Sequence, residues 1–214
     1  MNSFTRRLQL QGAAGPIDVL RDDPDGATVG TAFIAHPHPL FGGTMDNKVV
    51  QTLARAFVQG GWTAVRFNFR GVGGSAGEHD EGRGEADDMR GLVAQVAPEG
   101  PIALAGFSFG AFVTSQVLAT LWAQREVRKV VLVGTAASRF TVPALPPEAH
   151  DRTLVLHGEQ DDTVALSAVM DWARPQALPV TVVPGGGHFF HGQLPLLKSL
   201  VTRHLRAGDV SSAS

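Results

Sequence analysis

The sequence contains no cysteine, and this absence restricts the chemistry that the chain can perform. Disulfide bonds, thiolate metal sites and a cysteine nucleophile all require a thiol, so all three are excluded. Covalent catalysis by this chain therefore needs a nucleophile other than cysteine.

An excess of charge of one sign and a long apolar run are also lacking. The formal net charge is −2 at pH 7, which gives no reason to expect binding to nucleic acid or to an anionic membrane surface. No stretch approaches the ~20 apolar residues that span a bilayer, and the N-terminus has no clean signal-peptide cleavage site. We therefore expect a cytoplasmic protein, a monomer or weak homodimer, whose partner is a small molecule and not nucleic acid or a membrane.

Short apolar runs alternate with amphipathic stretches along the chain, beginning with a strand pair at Arg7–Gln11 and Pro16–Arg21. Such alternation is typical of an α/β fold, here a mostly parallel sheet of about eight strands with helices on both faces. We predict a single domain over residues 1–206 and a flexible tail over residues 207–214. Further strands are predicted at Thr28–Ala35, Thr63–Phe69, Ile102–Ala105, Lys129–Val133, Thr153–His157 and Val180–Val183, and helices at Asp46–Gln59, Glu85–Val96, Phe109–Trp122, Leu166–Arg174 and Gln193–Arg206.

Two segments match the pattern G-x-S-x-G, which marks a nucleophilic serine when it lies on a tight turn between a strand and a helix. Only Ser108 has a predicted buried strand before it and a predicted helix after it. The flanking Gly106 and Gly110 allow the strand and the helix to approach this turn closely. Ser75 is followed by a polar loop, so we interpret it as part of a glycine-rich loop. Ser108 is the predicted nucleophile.

A serine hydroxyl needs a neighbouring base, and the base needs an acid behind it. His188 follows three glycines directly after the last predicted strand, so its imidazole can reach over the edge of the sheet. The loop after the strand Thr153–His157 offers Glu159, Asp161 and Asp162 as the acid. These positions obey the chain order of nucleophile, acid and base that this kind of fold requires.

Acyl transfer also needs two backbone N–H groups directed at the developing oxyanion. One is predicted at Phe109, next to the nucleophile, and the second in the loop His36–Gly43, whose two prolines have no N–H. We favour Leu40 as the second donor, with His38 as the next choice. Four phenylalanines near these motifs are expected to line an apolar substrate pocket, namely Phe41, Phe107, Phe140 and Phe189.

Together these motifs resemble the small bacterial serine hydrolases of the α/β-hydrolase superfamily that carry the pattern H-P-H-P-x-x-G-G-x-x-x-N-K. The matching segments are His36–Lys48, Asn68–Ser75, the turn at Ser108, His157–Val164 and Gly187–Phe190. The resemblance extends over nearly the whole chain and includes a relation to dienelactone hydrolases and simple carboxylesterases. Dienelactone hydrolase uses a cysteine nucleophile, however, and this chain has none.

The resemblance implies several further assignments. The acid is the aspartate of H-G-x-x-D-x-x-V, which is Asp161 here, with Asp162 as the fallback. Asn47, Lys48 and Arg70 are implied to order the loops around the site. Neither a metal ion nor an organic cofactor is expected.

The segment between the strands Lys129–Val133 and Thr153–His157 is too short for the helical cap that many members of the superfamily insert there. We therefore predict a lidless serine hydrolase that cleaves carboxylic esters of small or short-acyl substrates through an acyl-enzyme on Ser108. Thioesterase, lactonase, peptidase and acyltransferase activities use the same triad and stay open as alternatives.

Two hypotheses from other classes are weighed against this one. A zinc site built from His36, His38, His188 and His191 is conceivable by residue type, although no acidic ligand has a fitting spacing. A ligand-binding protein on the same scaffold is the other alternative. The complete set of nucleophile, base and acid favours the enzyme over both.

Overall fold

The structure, a computed structural model, describes residues 5–207 and contains eight strands and five α-helices within that range. Every predicted strand and helix is present, with ends that lie within three residues of the prediction. All of the predicted tail except Ala207 lies outside the described residues. The strands are β1 (Thr5–Gly12), β2 (Gly15–Asp22), β3 (Thr31–Ala35), β4 (Thr63–Phe67), β5 (Ile102–Phe107), β6 (Val127–Val133), β7 (Thr153–Gly158) and β8 (Val180–Val183). The helices are α1 (Lys48–Gln59), α2 (Arg83–Val96), α3 (Phe109–Leu121), α4 (Leu166–Ala173) and α5 (Leu194–Arg206).

The strands form one sheet in the order β1-β2-β4-β3-β5-β6-β7-β8. β2 pairs antiparallel with β1 and β4, whereas all pairings from β4 through β3 to β8 are parallel. Parallel neighbours need crossover connections, which α-helices provide everywhere except between β6 and β7, where a loop with a short 3-10 helix makes the connection. The predicted fold, a mostly parallel sheet with helices on both faces, is confirmed.

The central strands are buried on both faces, which explains their continuous apolar sequences. In β5, Leu104 belongs to the apolar cluster under α2, α3 and α4, whereas Ala103 and Ala105 belong to the cluster under α1 and α5. Alternate residues of a strand point to opposite faces, so one short strand supplies both layers. Met89 of α2 and Phe57 of α1 are fully buried in the two clusters.

The beginning of α1 differs from the prediction by two residues. The helix begins at Lys48 and not at Asp46, because the Asn47 side chain accepts the Val49 N–H at 2.8 Å and caps the helix. Residue 47 thereby ends the loop that follows β3. That loop contains the histidine–proline motif found in the sequence.

The carboxyl ends of β3, β5, β7 and β8 lie along one edge of the sheet, so the loops that follow them are close in space. These loops carry His38, Ser108, Asp161 and His188 respectively. Residues 134–152, between β6 and β7, contain one short 3-10 helix at Pro147–Arg152 and no cap domain, as predicted. The site edge of the sheet is therefore not covered by an inserted domain.

No helix within residues 5–207 combines the length and the apolar character that crossing a membrane would require.

Candidate active site

Ser108 lies on the turn between β5 and α3 in a backbone conformation that only a constrained turn imposes on a side-chain-bearing residue. Its φ is 58° and its ψ is −116°. A Cβ on Gly106 would lie 2.3 Å from the Gly110 carbonyl oxygen, and one on Gly110 would lie 2.4 Å from the Ala35 carbonyl oxygen. The two glycines thus allow β5, α3 and the end of β3 to meet around the serine.

The three predicted triad side chains meet at hydrogen-bonding distance. His188 Nε2 lies 3.0 Å from Ser108 Oγ, and His188 Nδ1 lies 2.7 Å from Asp161 Oδ2. A carboxylate accepts only, so Nδ1 carries the proton and Nε2 is left to accept the proton of the serine hydroxyl. All three side chains are buried, with at most 9% of each residue exposed.

Both oxygens of the Asp161 carboxylate accept hydrogen bonds. Oδ1 accepts the N–H groups of Thr163 at 2.9 Å and Val164 at 2.7 Å, which leaves Oδ2 for His188. Burial alone would raise the pKa of Asp161, but the hydrogen bonds from His188 and the two backbone amides outweigh burial and hold this pKa below its ordinary value. The carboxylate is therefore ionised at neutral pH.

The two other acidic candidates lie elsewhere. Asp162 is exposed and accepts a hydrogen bond from the adjacent Thr163 hydroxyl at 3.3 Å. Glu159 accepts the Gly185 N–H at 2.8 Å and so ties two surface loops together. Of the three carboxylates that follow β7, the structure brings only Asp161 to His188.

His157 contacts the acid, a contact that the sequence interpretation missed. Its Nε2 lies 2.9 Å from the Val164 carbonyl oxygen and 3.6 Å from Asp161 Oδ2. Burial lowers the pKa of His157, so the ring is neutral and donates to the carbonyl. The H-G-x-x-D-x-x-V motif contains this signal, because its first and last residues clamp the turn that presents the aspartate.

Phe107, which we expected in the substrate pocket, lies behind the base instead. It is fully buried and its ring centroid lies 4.9 Å from that of His188. The reason is strand alternation, because Phe107 at the end of β5 points into the cluster under α1 and α5. Gly134 contacts the base from another side, where a Cβ would lie 3.3 Å from His188 Cε1.

The predicted oxyanion donors differ in availability. Phe109 N–H is the first amide of α3 and has no helical acceptor, as for every first turn. Leu40 N–H, our first choice in the β3 loop, is engaged with His38 Nδ1 at 3.3 Å. Phe41 N–H donates to the His38 carbonyl at 3.2 Å. The 3-10 turn at Pro39–Phe41 thus occupies both amides, which the spacing of the prolines did not reveal.

A cleft of about 300 Å³ opens above Ser108. Phe41, Phe140 and Phe189 line it as predicted, together with Phe109. Phe41 is 71% exposed at the mouth, with the Arg139 guanidinium 5.5 Å above its ring centroid. Asn47 and Arg139 are polar lining residues that the sequence interpretation did not assign to the cleft.

The three residues that the resemblance implied to order the loops around the site make different contacts in the structure. Asn47 caps α1 and also lines the cleft. Arg70 pairs with Asp88 of α2 through two hydrogen bonds of 2.6 and 3.1 Å, which fixes the loop after β4 onto that helix. Lys48 is the exposed first residue of α1, and nothing in the structure explains a role for its side chain.

His36 is the buried end of the same loop and is held in a single tautomer. Its Nε2 accepts the Phe69 N–H at 2.9 Å, so its Nδ1 donates to the Pro37 carbonyl at 2.6 Å. Burial lowers the pKa of His36 from 6.5 to about 4. His188 likewise uses both ring nitrogens, so these two histidines have no free nitrogen for the zinc alternative.

We expect acid to destabilise the fold through His36. Between about pH 6.5 and pH 4 the unfolded chain takes up a proton that the folded ring refuses, so the free energy of unfolding falls as pH falls through this window. His204, whose pKa burial also lowers to about 4, adds to the effect. His36→Gln keeps an acceptor for the Phe69 amide but cannot titrate. The free energy of unfolding, measured by urea denaturation, should therefore fall less between pH 7.5 and pH 5 in His36→Gln than in wild type. The exposed His191→Gln serves as the control, and an undiminished difference in His36→Gln would contradict the assignment.

Comparison with known proteins identifies the family of this chain. A model of the serine aminopeptidase S33 family matches residues 40–146, which is half of the chain. The chain belongs to this α/β-hydrolase family. An uncharacterised protein of Rickettsia prowazekii is 30% identical to this hydrolase over 202 residues, which cover 86% of this chain and 82% of that protein.

Two solved structures are similar to this hydrolase over nearly its whole length. A Xanthomonas campestris α/β serine hydrolase without a lid is 36% identical, with a TM-score of 0.85 and coverage of 96% of this chain and 95% of that chain. An α/β serine hydrolase homologue from Coxiella burnetii is 37% identical, with a TM-score of 0.80 and coverage of 94% and 97%. The α/β-hydrolase fold without a cap is confirmed by these likenesses.

Proposed function

We propose that this hydrolase cleaves small carboxylic esters through an acyl-enzyme on Ser108. The observation that carries the proposal is the continuous chain from Ser108 Oγ through His188 to Asp161, with distances of 3.0 and 2.7 Å. A serine hydroxyl is a poor nucleophile until a base removes its proton, and this chain provides that base in the required tautomer.

The reaction follows from the positions of these groups. Ser108 Oγ attacks the ester carbonyl carbon while His188 Nε2 takes the hydroxyl proton, and Asp161 stabilises the resulting imidazolium. Collapse of the tetrahedral intermediate expels the alcohol, which receives the proton from His188. Water then repeats the sequence on the acyl-enzyme, releasing the acid and regenerating Ser108.

The negative oxygen of the tetrahedral intermediate needs two donors, and we propose the N–H groups of Phe109 and His38. The Leu40 and Phe41 amides are already engaged, and Pro37 and Pro39 have none. His38 lines the same cleft as Phe109, the first residue of α3, and the N-terminal dipole of that helix also favours a negative charge. His38 therefore replaces Leu40 as the second donor.

An ester is favoured over an aminoacyl substrate by the charge of the cleft. An aminopeptidase must bind the α-ammonium of its substrate, which calls for a carboxylate nearby. Within the described residues the cleft lining contains Arg139 and no aspartate or glutamate. The positive charge at the mouth disfavours a free amine. The volume of about 300 Å³ lies at the small end of ligand sites, which favours short acyl groups.

The proposal is tested by comparing substrates and by labelling. We expect p-nitrophenyl acetate and butyrate to be hydrolysed, with kcat/KM at least about 100-fold above that for an alanine p-nitroanilide. Intact mass spectrometry after exposure to a fluorophosphonate should find one adduct on wild type. Faster anilide cleavage would favour the aminopeptidase, whereas no adduct and no turnover would favour a ligand-binding protein.

A further inference from the structure

We propose that His79, held by the buried Glu85, is a positioning residue for the oxyanion hole. His79 belongs to the polar segment between β4 and α2, and Glu85 to the first turn of α2; the mechanism above uses neither residue. The inference rests on the proposed function, because it concerns how the His38 and Phe109 amides keep their places.

Glu85 organises this segment from inside the protein. It is fully buried in the first turn of α2, where an unpartnered carboxylate would be strongly unfavourable. Its Oε1 lies 2.9 Å from His79 Nδ1 and accepts the Asp80 N–H at 3.0 Å, and its Oε2 accepts the Gly82 N–H at 2.9 Å. The carboxylate thus fixes the backbone of the loop and the orientation of one imidazole at the same time.

The His79 ring packs against both residues that supply the proposed oxyanion amides. Its centroid lies 4.7 Å from the His38 ring and 5.2 Å from the Phe109 ring, and those two rings lie 4.9 Å apart. We call His38, His79 and Phe109 the three-ring cluster. Packing in such a cluster is close enough that removal of one ring leaves space for the other two to move.

His79 is hydrogen-bonded through only one of its two ring nitrogens, Nδ1, among the described residues. Its Nε2 is buried and has no hydrogen-bond partner among the described residues, and the nearest carboxylate oxygen there, on Glu81, lies 3.8 Å away. The Nδ1 contact with Glu85 and the ring packing therefore determine where the imidazole sits. The loop itself is tightly seated, because a Cβ on Gly82 would lie 2.5 Å from Phe112 Cε1.

Displacement of His38 matters for catalysis because oxyanion donors work only when they are already aimed at the developing charge. The His38 carbonyl accepts the Phe41 and Gly43 amides, and its Nδ1 accepts the Leu40 amide, so its turn is defined on the solvent side. His79 supports the same residue from the protein side. Losing that support is expected to weaken transition-state binding more than substrate binding.

The test uses two replacements that separate the ring from the hydrogen bond. His79→Asn keeps an N–H donor for Glu85 but removes the ring, whereas His79→Phe keeps a ring and removes the donor. We expect His79→Asn to lower kcat for p-nitrophenyl butyrate by about tenfold to a hundredfold with KM within about twofold, because a misplaced donor costs up to what a deleted one does. His79→Phe keeps the ring packing but loses the hydrogen bond to Glu85, so its kcat is expected to lie between those of wild type and His79→Asn.

A trifluoromethyl ketone inhibitor provides the readout that a purely structural role would not change. Ser108 Oγ adds reversibly to its carbonyl carbon, the hydroxyl proton passes to His188, and the oxyanion occupies the hole. Its Ki should rise in His79→Asn by about the same factor as kcat/KM falls. Glu78→Gln, in the same loop but exposed, is the matched control.

The outcomes separate the two proposals. A wild-type protein that neither reacts with a fluorophosphonate nor hydrolyses esters would overturn both. An active wild type with an unchanged His79→Asn, or with lost turnover but an unchanged ketone Ki, would overturn the positioning role alone. A loss in His79→Phe as large as that in His79→Asn would overturn ring packing as its basis, and thermal melting of each variant establishes that it is folded.

Discussion

Ser108→Ala is expected to reduce ester turnover by several orders of magnitude, to a residual rate of about 10³–10⁴ over the uncatalysed reaction. The variant removes the attacking oxygen but leaves the proposed oxyanion donors, the Phe109 and His38 amides, in place, and we expect these to provide the residual rate. The measurement is kcat for p-nitrophenyl butyrate. Intact mass after fluorophosphonate treatment should give an adduct on wild type and none on Ser108→Ala.

Ser75→Ala is the matched control, because Ser75 carries the second G-x-S-x-G match. Its hydroxyl donates to the Asn68 carbonyl at 2.8 Å and accepts the Asp18 N–H at 3.0 Å, so it ties the loop after β4 to β2. Alanine there leaves the buried Asn68 carbonyl and the part-buried Asp18 N–H without this partner. We expect a cost of about 1–3 kcal/mol of stability, with most activity retained. Equal losses of activity in Ser75→Ala and Ser108→Ala would refute the assignment of the nucleophile.

Asp161→Asn is expected to reduce kcat by about 10⁴-fold without unfolding the protein. The two amides of Thr163 and Val164 require an acceptor and would keep the asparagine oxygen at the Oδ1 position. The asparagine NH₂ would then face His188 Nδ1 and force that nitrogen to accept. The imidazole proton would move to Nε2, which could no longer take the proton of Ser108.

Asp162→Asn distinguishes this tautomer effect from a general effect of charge in the same loop. Asp162 is adjacent and exposed, and its replacement removes one negative charge without touching the imidazole. We expect its kcat within about twofold of wild type, as for most exposed substitutions. If instead Asp162→Asn were the inactive variant, the acid would have to be reassigned to position 162.

The order of strands and helices could be predicted because each element has a recognisable pattern over a short stretch of sequence. Buried parallel strands are continuously apolar and surface helices have an apolar stripe, so thirteen elements could be recognised one at a time. Only the observed ends of the elements differ from the predicted ends, as at α1, where the Asn47 cap excludes Asp46 from the helix. Caps depend on side-chain geometry and not on periodicity.

The position of Ser108 could be predicted for the same reason. The strained turn, the entering strand and the leaving helix are all adjacent in sequence, and Gly106 and Gly110 mark the places where chains touch. The base could be located from the glycines before it. Spacing alone left Glu159, Asp161 and Asp162 equivalent as the acid, and only the family motif pointed to Asp161. The structure distinguishes the three by what they contact, because only Asp161 faces His188 across the sheet edge.

The second oxyanion donor and part of the pocket could be assigned only from the tertiary structure. Prolines excluded two amides of the β3 loop, but the 3-10 turn that engages the Leu40 and Phe41 amides forms only in the folded loop. Composition likewise could not tell that Phe107 supports the base while Phe140 lines the cleft. By itself the sequence determined the elements, their order and the residue types for acyl transfer, since these depend on neighbours along the chain. Which carboxylate faces the base, and which amide and rings face the reacting serine, was decided by contacts between segments far apart in sequence, which spacing along the chain does not encode.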